Sequence, residues 1–360
     1  MIEFEQRGEF DFRSDEYEQL FAQSSATAFQ HPIWLDRVYA QLVAPSGAEP
    51  LIVAGRTRAD QKLKVVFPLI RRGLGPVATV DYADMGVSDY NAPIVDRSLE
   101  PKLGGQPNIV GLLRHAIRPA VVGRLQKMRG DTLESLGLRQ ILPSDFMGFH
   151  SHEVQLHGPY SAWRKDALSK SFVRFLDRKG RALAKMGAVE FKELTDAESI
   201  GDVFSALKSF REGRLPDDPL KNERYFNFYR DVAVEGCRSG FARTQLLTCG
   251  GKDAAIIFGL SHGGRFHLLL TGFNFPAFRN VSAGKLIMEH SIEAAIDRGE
   301  TVYDFTIGDE AYKTEFGTQA LPMYMAWIGP GPLAVLASAA SGALAELKRI
   351  KRTRSLKKRT

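Results

Sequence analysis

Between residues 51 and 72 apolar and polar positions alternate in the manner of a β-hairpin, with 51–54 as one strand, 58–61 as a polar turn and 63–70 as the return. A further strand is predicted at 77–82, a turn-rich segment at 86–90, a helix around 109–118, and short strands near Gln140 and Val154. From Tyr160 the pattern changes to a long, basic, helical stretch that runs to Met186 and stops at Gly187, a residue type suited to ending helices. Residues 188–194 read as a strand. Thr195, with Glu198 three residues on, has capping-box spacing, and helices are predicted over 196–213 and 221–238. Three strands with glycine-rich turns follow at 241–248, 254–260 and 265–272, then a loop, a helix over 284–298 and a strand over 301–306.

This order is a mixed α/β (α+β) arrangement in which an antiparallel meander feeds one crossover helix. The first half echoes it as hairpin, strand, polar loop and helix, which suggests duplication. A chain of 360 residues is long for one domain. The predicted organisation is a first domain over 1–159, a second over 160–325, and a C-terminal helix and basic tail over 326–360.

Composition is that of a globular protein, with 44% hydrophobic and 25% charged residues. Eight cations and no acid fall in residues 348–360, against a formal net charge of +6, so the rest of the chain carries −2. The basic balance belongs to a tail and not to a nucleic-acid-binding body. Two cysteines, Cys237 and Cys249, are too few for a disulfide framework or a Cys-based metal site. The histidines, His150-Ser151-His152 included, lack metal-ligand spacing, and no nucleophile elbow is present, so neither a metal nor a Ser-His-Asp triad is expected. Without a leader-like start or the roughly 18–20 apolar residues of a membrane helix, a cytoplasmic protein is expected. Residues 331–347, with Leu333, Leu336, Leu344 and Leu347, suggest an amphipathic helix leading into the tail. It either docks on the domain or makes peripheral contact with an anionic membrane surface.

The sharpest local chemistry is Phe278-Arg279-Asn280-Val281-Ser282-Ala283-Gly284, which opens into a helix with Lys285 close behind. Small residues at a helix start leave backbone N–H groups open, and with the helix dipole they suit a pyrophosphate. The alternative is an ordinary helix start capped by Ser282. At this point the chain resembles the GNAT superfamily, whose acyl-CoA loop runs Arg/Gln-x-x-Gly-x-Gly/Ala. The match is Arg279-x-x-Ser282-x-Gly284, with serine where the family has its first glycine.

The stretch Tyr303-Asp304-Phe305-Thr306-Ile307-Gly308-Asp309-Glu310-Ala311-Tyr312-Lys313-Thr314-Glu315-Phe316-Gly317 resembles the DF-x-x-GD-x-x-YK-x-x-FG signature of CelD/BcsL-type acetyltransferases, which are linked to cellulose and exopolysaccharide biosynthesis. More distantly it is similar to the Fem-type aminoacyl transferases, which also pair two GNAT-like domains. Residues 27–34, Phe67-Pro68-Leu69 and Ser88-Asp89-Tyr90 are similar to earlier landmarks of the same family, so the resemblance spans roughly 21–317.

The resemblance implies two tandem GNAT-like domains with mixed, mostly antiparallel sheets, and an acyltransferase using acetyl-CoA or a longer acyl-CoA. Backbone groups of Leu270, Thr271, Gly272 and Phe273 would hold the pantetheine arm. Arg279, Asn280, Val281, Ser282, Ala283, Gly284 and Lys285 would hold the pyrophosphate. Asp309, or Glu310, would accept the acceptor's proton, Tyr312 would protonate the leaving thiolate, and Lys313 would hold an anion. Asp304 would serve structure. Asp89, Tyr90, Trp34 and Arg211 are candidate substrate-binding residues; an Asx turn, a core aromatic and a solvated helix arginine are the alternatives for Asp89, Trp34 and Arg211. The acceptor would be a small polar molecule or a glycan, and only the second domain would bind CoA. Two alternatives stay open. One is a Fem-like transferase using charged tRNA, against which the −2 of the body counts, although the basic residues of 164–185 keep it open. The other is a catalytically silent scaffold of a polysaccharide synthesis complex.

Overall fold

The computed structural model describes residues 2–73, 78–100, 109–118, 122–214 and 218–329; the predicted helix over 331–347 and the basic tail lie outside them. The chain divides into two compact units, Met1–His150 with the chain from Leu321 onward, and Ser151–Ala320.

In the first unit β1 (Ile2–Arg7), β2 (Glu49–Thr57), β3 (Leu63–Arg72) and β4 (Thr79–Tyr82) are successive antiparallel neighbours, with the two-residue β5 (Ile94–Val95) beside β3. β4 then pairs in parallel with β6 (Val122–Arg129), and β6 is joined antiparallel by the last strand among the described residues, β13 (Gln319–Ile328). Helices α1 (Asp15–Ala22) and α2 (Pro32–Arg37) precede the hairpin, α3 (Ile109–Ala116) is the crossover and α4 (Gly130–Ser135) follows β6. Leu51, Val65, Phe67, Val80, Leu113, Leu125 and Ile328 form its core.

The second unit repeats this plan. It takes the end of β7 (Ser144–Gln155), then α5 (Tyr160–Ala167), α6 (Lys170–Ala184), β8 (Val189–Leu194), α7 (Ala197–Arg211), α8 (Glu223–Gly236), β9 (Ala242–Cys249), β10 (Lys252–His262), β11 (Arg265–Phe273), α9 (Phe275–Phe278), α10 (Ala283–Asp297), β12 (Val302–Ile307) and α11 (Ala311–Glu315). β8, β9, β10 and β11 are antiparallel neighbours, β11 and β12 pair in parallel, and β12 pairs antiparallel with β7. The succession of pairing senses matches that of the first unit, as duplication predicts.

Strand alternation sorts side chains onto two helical layers. Ile257 enters the core with Leu286, Ile287 and Ile292 of α10, whereas the next residue, Phe258, lies 5.3 Å from Phe204 of α7 and 6.2 Å from Tyr229 of α8. The predicted helix over 160–186 is two helices. Leu168 is extended, and Ser169 restarts the chain as the cap of α6, its side chain accepting from the Phe172 N–H at 3.2 Å. The cap of α7 is Asp196, which accepts from the Ser199 N–H at 2.8 Å, and not Thr195. The structural division falls at 150/151 and returns the chain to the first unit at Leu321, whereas the sequence pattern places the divisions at 159/160 and 325/326. The difference arises because β7 and β13 complete sheets through partners remote in sequence. No helix among the described residues is long and apolar enough to cross a membrane.

Candidate active site in the second unit

The parallel pair β11–β12 is short. Its register holds for Arg265↔Val302, Phe266↔Tyr303 and His267↔Asp304, although β11 continues to Phe273 and β12 to Ile307. Beyond His267 and Asp304 the two strands part. The divergence has a local cause. Thr306 sits at φ 58°, a conformation that β-branched residues rarely adopt. Buried Asp304 fixes it by accepting from the Thr306 N–H at 2.8 Å, and the Thr306 hydroxyl donates to the Leu268 carbonyl at 3.1 Å across the base of the opening. Asp304 is itself held by Arg265 at 3.1 Å, so its role is structural, as expected.

The predicted donor loop stands at the mouth of this opening. Ser282 precedes α10 at φ 56° and its side chain makes no capping bond, so it is not the conventional cap considered from sequence. The Ala283 and Gly284 N–H groups make no backbone hydrogen bond among the described residues. A Cβ on Gly284 would come within 3.2 Å of the Phe273 ring, so a larger residue there would push the ring back by a few tenths of an ångström. The Arg214 guanidinium stacks 3.9 Å from the centroid of the Phe273 ring and adds a cation beside the loop that no sequence pattern singled out. Arg279 and Asn280 are exposed, and Val281 and Ala283 are buried. Lys179 donates to the Asn280 carbonyl. Lys285 turns away to an ion pair with Glu315 and to the Phe172 and Phe175 rings, 5.4 and 5.1 Å from their centroids. Small residues, open N–H groups and exposed cations fit a pyrophosphate group of the predicted kind.

Residues 304–317 are chiefly a brace for the turn that leaves β12. Lys313, expected to face substrate, is 2% exposed, and its ammonium donates to the carbonyls of Thr306 (3.3 Å), Ile307 (2.8 Å) and Gly308 (3.0 Å). An ammonium has three N–H groups, so none is left for an anionic substrate. Glu310, 3.0 Å away, balances its charge. Phe316 is fully buried, and at Gly317 (φ 73°) a Cβ would stand 2.5 Å from the Ala167 carbonyl oxygen.

Asp309 leaves this braced turn half-exposed, with its Oδ1 2.9 Å from Nε2 of His152 on β7. His152 is buried, and its Nδ1 lies 3.3 Å from the Thr318 hydroxyl. That hydroxyl also lies 3.0 Å from the Lys313 carbonyl, so Thr318 ties His152 to the braced turn. Sequence reading weighed His152 only as a metal ligand. Its partner is 157 positions away, which no local pattern displays. Tyr312 packs on Phe305, with ring centroids 6.3 Å apart, and its hydroxyl makes no hydrogen bond among the described residues. Burial, followed by the nearby Glu310 charge, pushes its phenol well above the ordinary value, so it stays protonated.

The expected acceptor-binding residues are buried or half-buried within their own units. Trp34 and Tyr90 are core residues of the first unit, at 0% and 1% exposure. The Trp34 indole donates to the Ser88 hydroxyl at 2.9 Å, and Gln30 donates to the Tyr90 carbonyl at 3.0 Å. Asp89 between them is half-buried. Arg211 is buried rather than solvated. It forms a two-pronged pair with Asp218 (2.9 and 3.1 Å) and donates to the Thr271 carbonyl at 2.7 Å, which clamps the end of β11. Gly272 admits α7, since a Cβ there would meet Leu207 Cδ1 at 2.7 Å. Leu270 is buried and Thr271 and Phe273 are half-buried along the parting edge of β11.

Comparison with known proteins agrees with the fold. Residues 170–314 match a family model described as an acetyltransferase (GNAT) domain. Among solved structures, FemX matches with a TM-score of 0.62 at 14% identity, over 93% of this chain and all of FemX. L-PGS from Bacillus licheniformis matches with a TM-score of 0.55 at 11% identity, over 92% of this chain and 98% of its own. A conserved protein of unknown function from Bacteroides thetaiotaomicron gives 0.56 at 12% identity, over 91% and 100%. No curated protein matches the sequence significantly. The chain thus folds as two GNAT-like α/β units in tandem, a fold it shares with FemX.

Proposed function

We propose that the second unit transfers an acyl group from a coenzyme A thioester to an amine or hydroxyl of a polar acceptor. The observation that carries this reading is the parting of β11 from β12 beside the Arg279-to-Gly284 loop. The first unit makes the same parallel pair, which ends at Asp81↔Arg124, but its own chain fills the space beyond. There the Asn91 N–H and side chain donate to the Lys127 and Gln126 carbonyls at 2.9 and 3.0 Å, and Lys127 reaches the Ser88 carbonyl at 2.9 Å. One donor site per chain follows.

A bound thioester would supply an already activated acyl carbon. Arg279, Arg214 and the N–H groups of Ala283 and Gly284 hold its phosphates. The Asp309 carboxylate, positioned by the His152 ring 2.9 Å away, takes a proton from the attacking amine or hydroxyl. The Tyr312 phenol, kept neutral by burial, gives its proton to the departing thiolate. Lys313 positions the turn that carries both groups. The likeness of 304–317 to the CelD/BcsL-type signature supports a glycan acceptor of envelope polysaccharide synthesis.

The test is release of free thiol from acetyl-CoA in the presence of a panel of amino sugars and polyols. Turnover lost in both His152→Gln and Tyr312→Phe, with donor binding retained, supports the assignment. Acyl transfer from an aminoacyl-tRNA, with CoA thioesters inert, moves the donor to the Fem-like alternative. Donor binding without turnover on any acceptor favours the silent scaffold.

A further inference from the structure

Helix α6 presents Lys170, Arg174, Arg178 and Arg181, with Lys185 at its C-cap, all exposed. Their spacing places the five cations within about 80° of one another around the helix and along about 22 Å of its length. None has an ion-pair partner among the described residues. The helix's one acid, Asp177, lies at the edge of the same arc and is paired with Arg164 at 2.7 Å. The opposite face buries Phe172, Leu176 and Leu183, so the core fixes the helix and the cations cannot turn inward. A row of unpaired like charges destabilises the chain that carries it, unless an anionic partner is met.

We propose that this face of α6 docks on an anionic lipid surface. The row is straight and presents cations without an exposed aromatic side chain along it, whereas single-stranded nucleic acids are held by aromatic stacking as well as charge. Just beyond its C-terminal end Met186 is 51% exposed and Val189 36%, apolar groups that enter the headgroup boundary while the cations meet phosphates. The surface is distinct in sequence from the basic tail and stands independently of the catalytic assignment; Lys179, on another side of the same helix, bonds the Asn280 carbonyl of the donor loop.

The experiment is co-sedimentation of the full chain with phosphatidylcholine vesicles, with and without phosphatidylserine. Three variants are compared: the five α6 cations changed to glutamine, five tail cations (Lys351, Arg352, Arg354, Lys357, Lys358) changed likewise, and Met186→Ser. Exposed helix positions tolerate glutamine, and circular dichroism checks the fold. Each near-surface cation contributes about fivefold to partitioning. The docking reading therefore expects at least a tenfold loss on anionic vesicles for the α6 variant and a smaller loss for Met186→Ser. An α6 variant that binds like the unchanged protein while the tail variant loses binding overturns it. So does stripe-dependent binding to tRNA with none to anionic vesicles.

Discussion

Lys313→Met separates bracing from catalysis at the residue where sequence and structure differ most. The substitution keeps volume and removes the ammonium that joins three consecutive carbonyls at 3.3, 2.8 and 3.0 Å. Methionine supplies no donor, so Thr306, Ile307 and Gly308 lose that partner in a site where Lys313 is 2% exposed. Breaking such a buried, charged arrangement costs about 3–5 kcal/mol, and less only where the turn relaxes toward water. At about 2–4 °C per kcal/mol for a unit of this size, the melting temperature falls by roughly 6–20 °C. Calorimetric or circular-dichroism melting reads this directly, and acetyl-CoA binding weakens with it because the freed turn holds Thr306 at the base of the opening. A variant that melts within about 2 °C of the parent but loses kcat would refute the argument and restore Lys313 to direct contact with substrate.

Other outcomes follow from the same geometry. Gly317→Ala forces a Cβ to 2.5 Å from the Ala167 carbonyl at φ 73°, and urea unfolding should show a loss of about 2–4 kcal/mol; an unchanged midpoint contradicts the close approach. Gly284→Val pushes against the Phe273 ring, and should weaken donor binding at least tenfold in titration while the melting temperature moves little. Burial holds the phenols of Tyr17, Tyr39 and Tyr82 well above the ordinary 10.0. The unfolded chain therefore ionises first, and stability is full below about pH 10 and falls above it by about 1.4 kcal/mol per pH unit for each phenol. Denaturation midpoints flat from pH 9 to pH 11 would contradict that burial.

The legible parts of the fold were those written in local patterns. The meander from 241 to 273 announces itself by alternation and glycine turns, and α10 by its apolar face. Its predicted start and end differ from the observed Ala283–Asp297 by one residue. The strands β6 and β13 are not visible in the sequence, because they pair with each other from about two hundred residues apart and β6 meets its other neighbour, β4, only across a crossover. The same holds for the site. The 279–284 loop is contiguous and was found. His152 and Asp309 meet only in three dimensions, and Arg214 joins the loop by stacking on Phe273. Charged residues in a dense motif invite a chemical reading, yet Lys313 and Arg211 are buried because their donors satisfy backbone carbonyls that would otherwise be orphaned.

The most direct measurement is calorimetric titration of the full chain with acetyl-CoA, repeated with Arg279→Glu. Saturable binding of one molecule per chain is expected, lost in the variant without loss of fold. Two molecules per chain would contradict the filled opening of the first unit, and no binding of acetyl-CoA or longer acyl-CoAs would contradict the donor site itself.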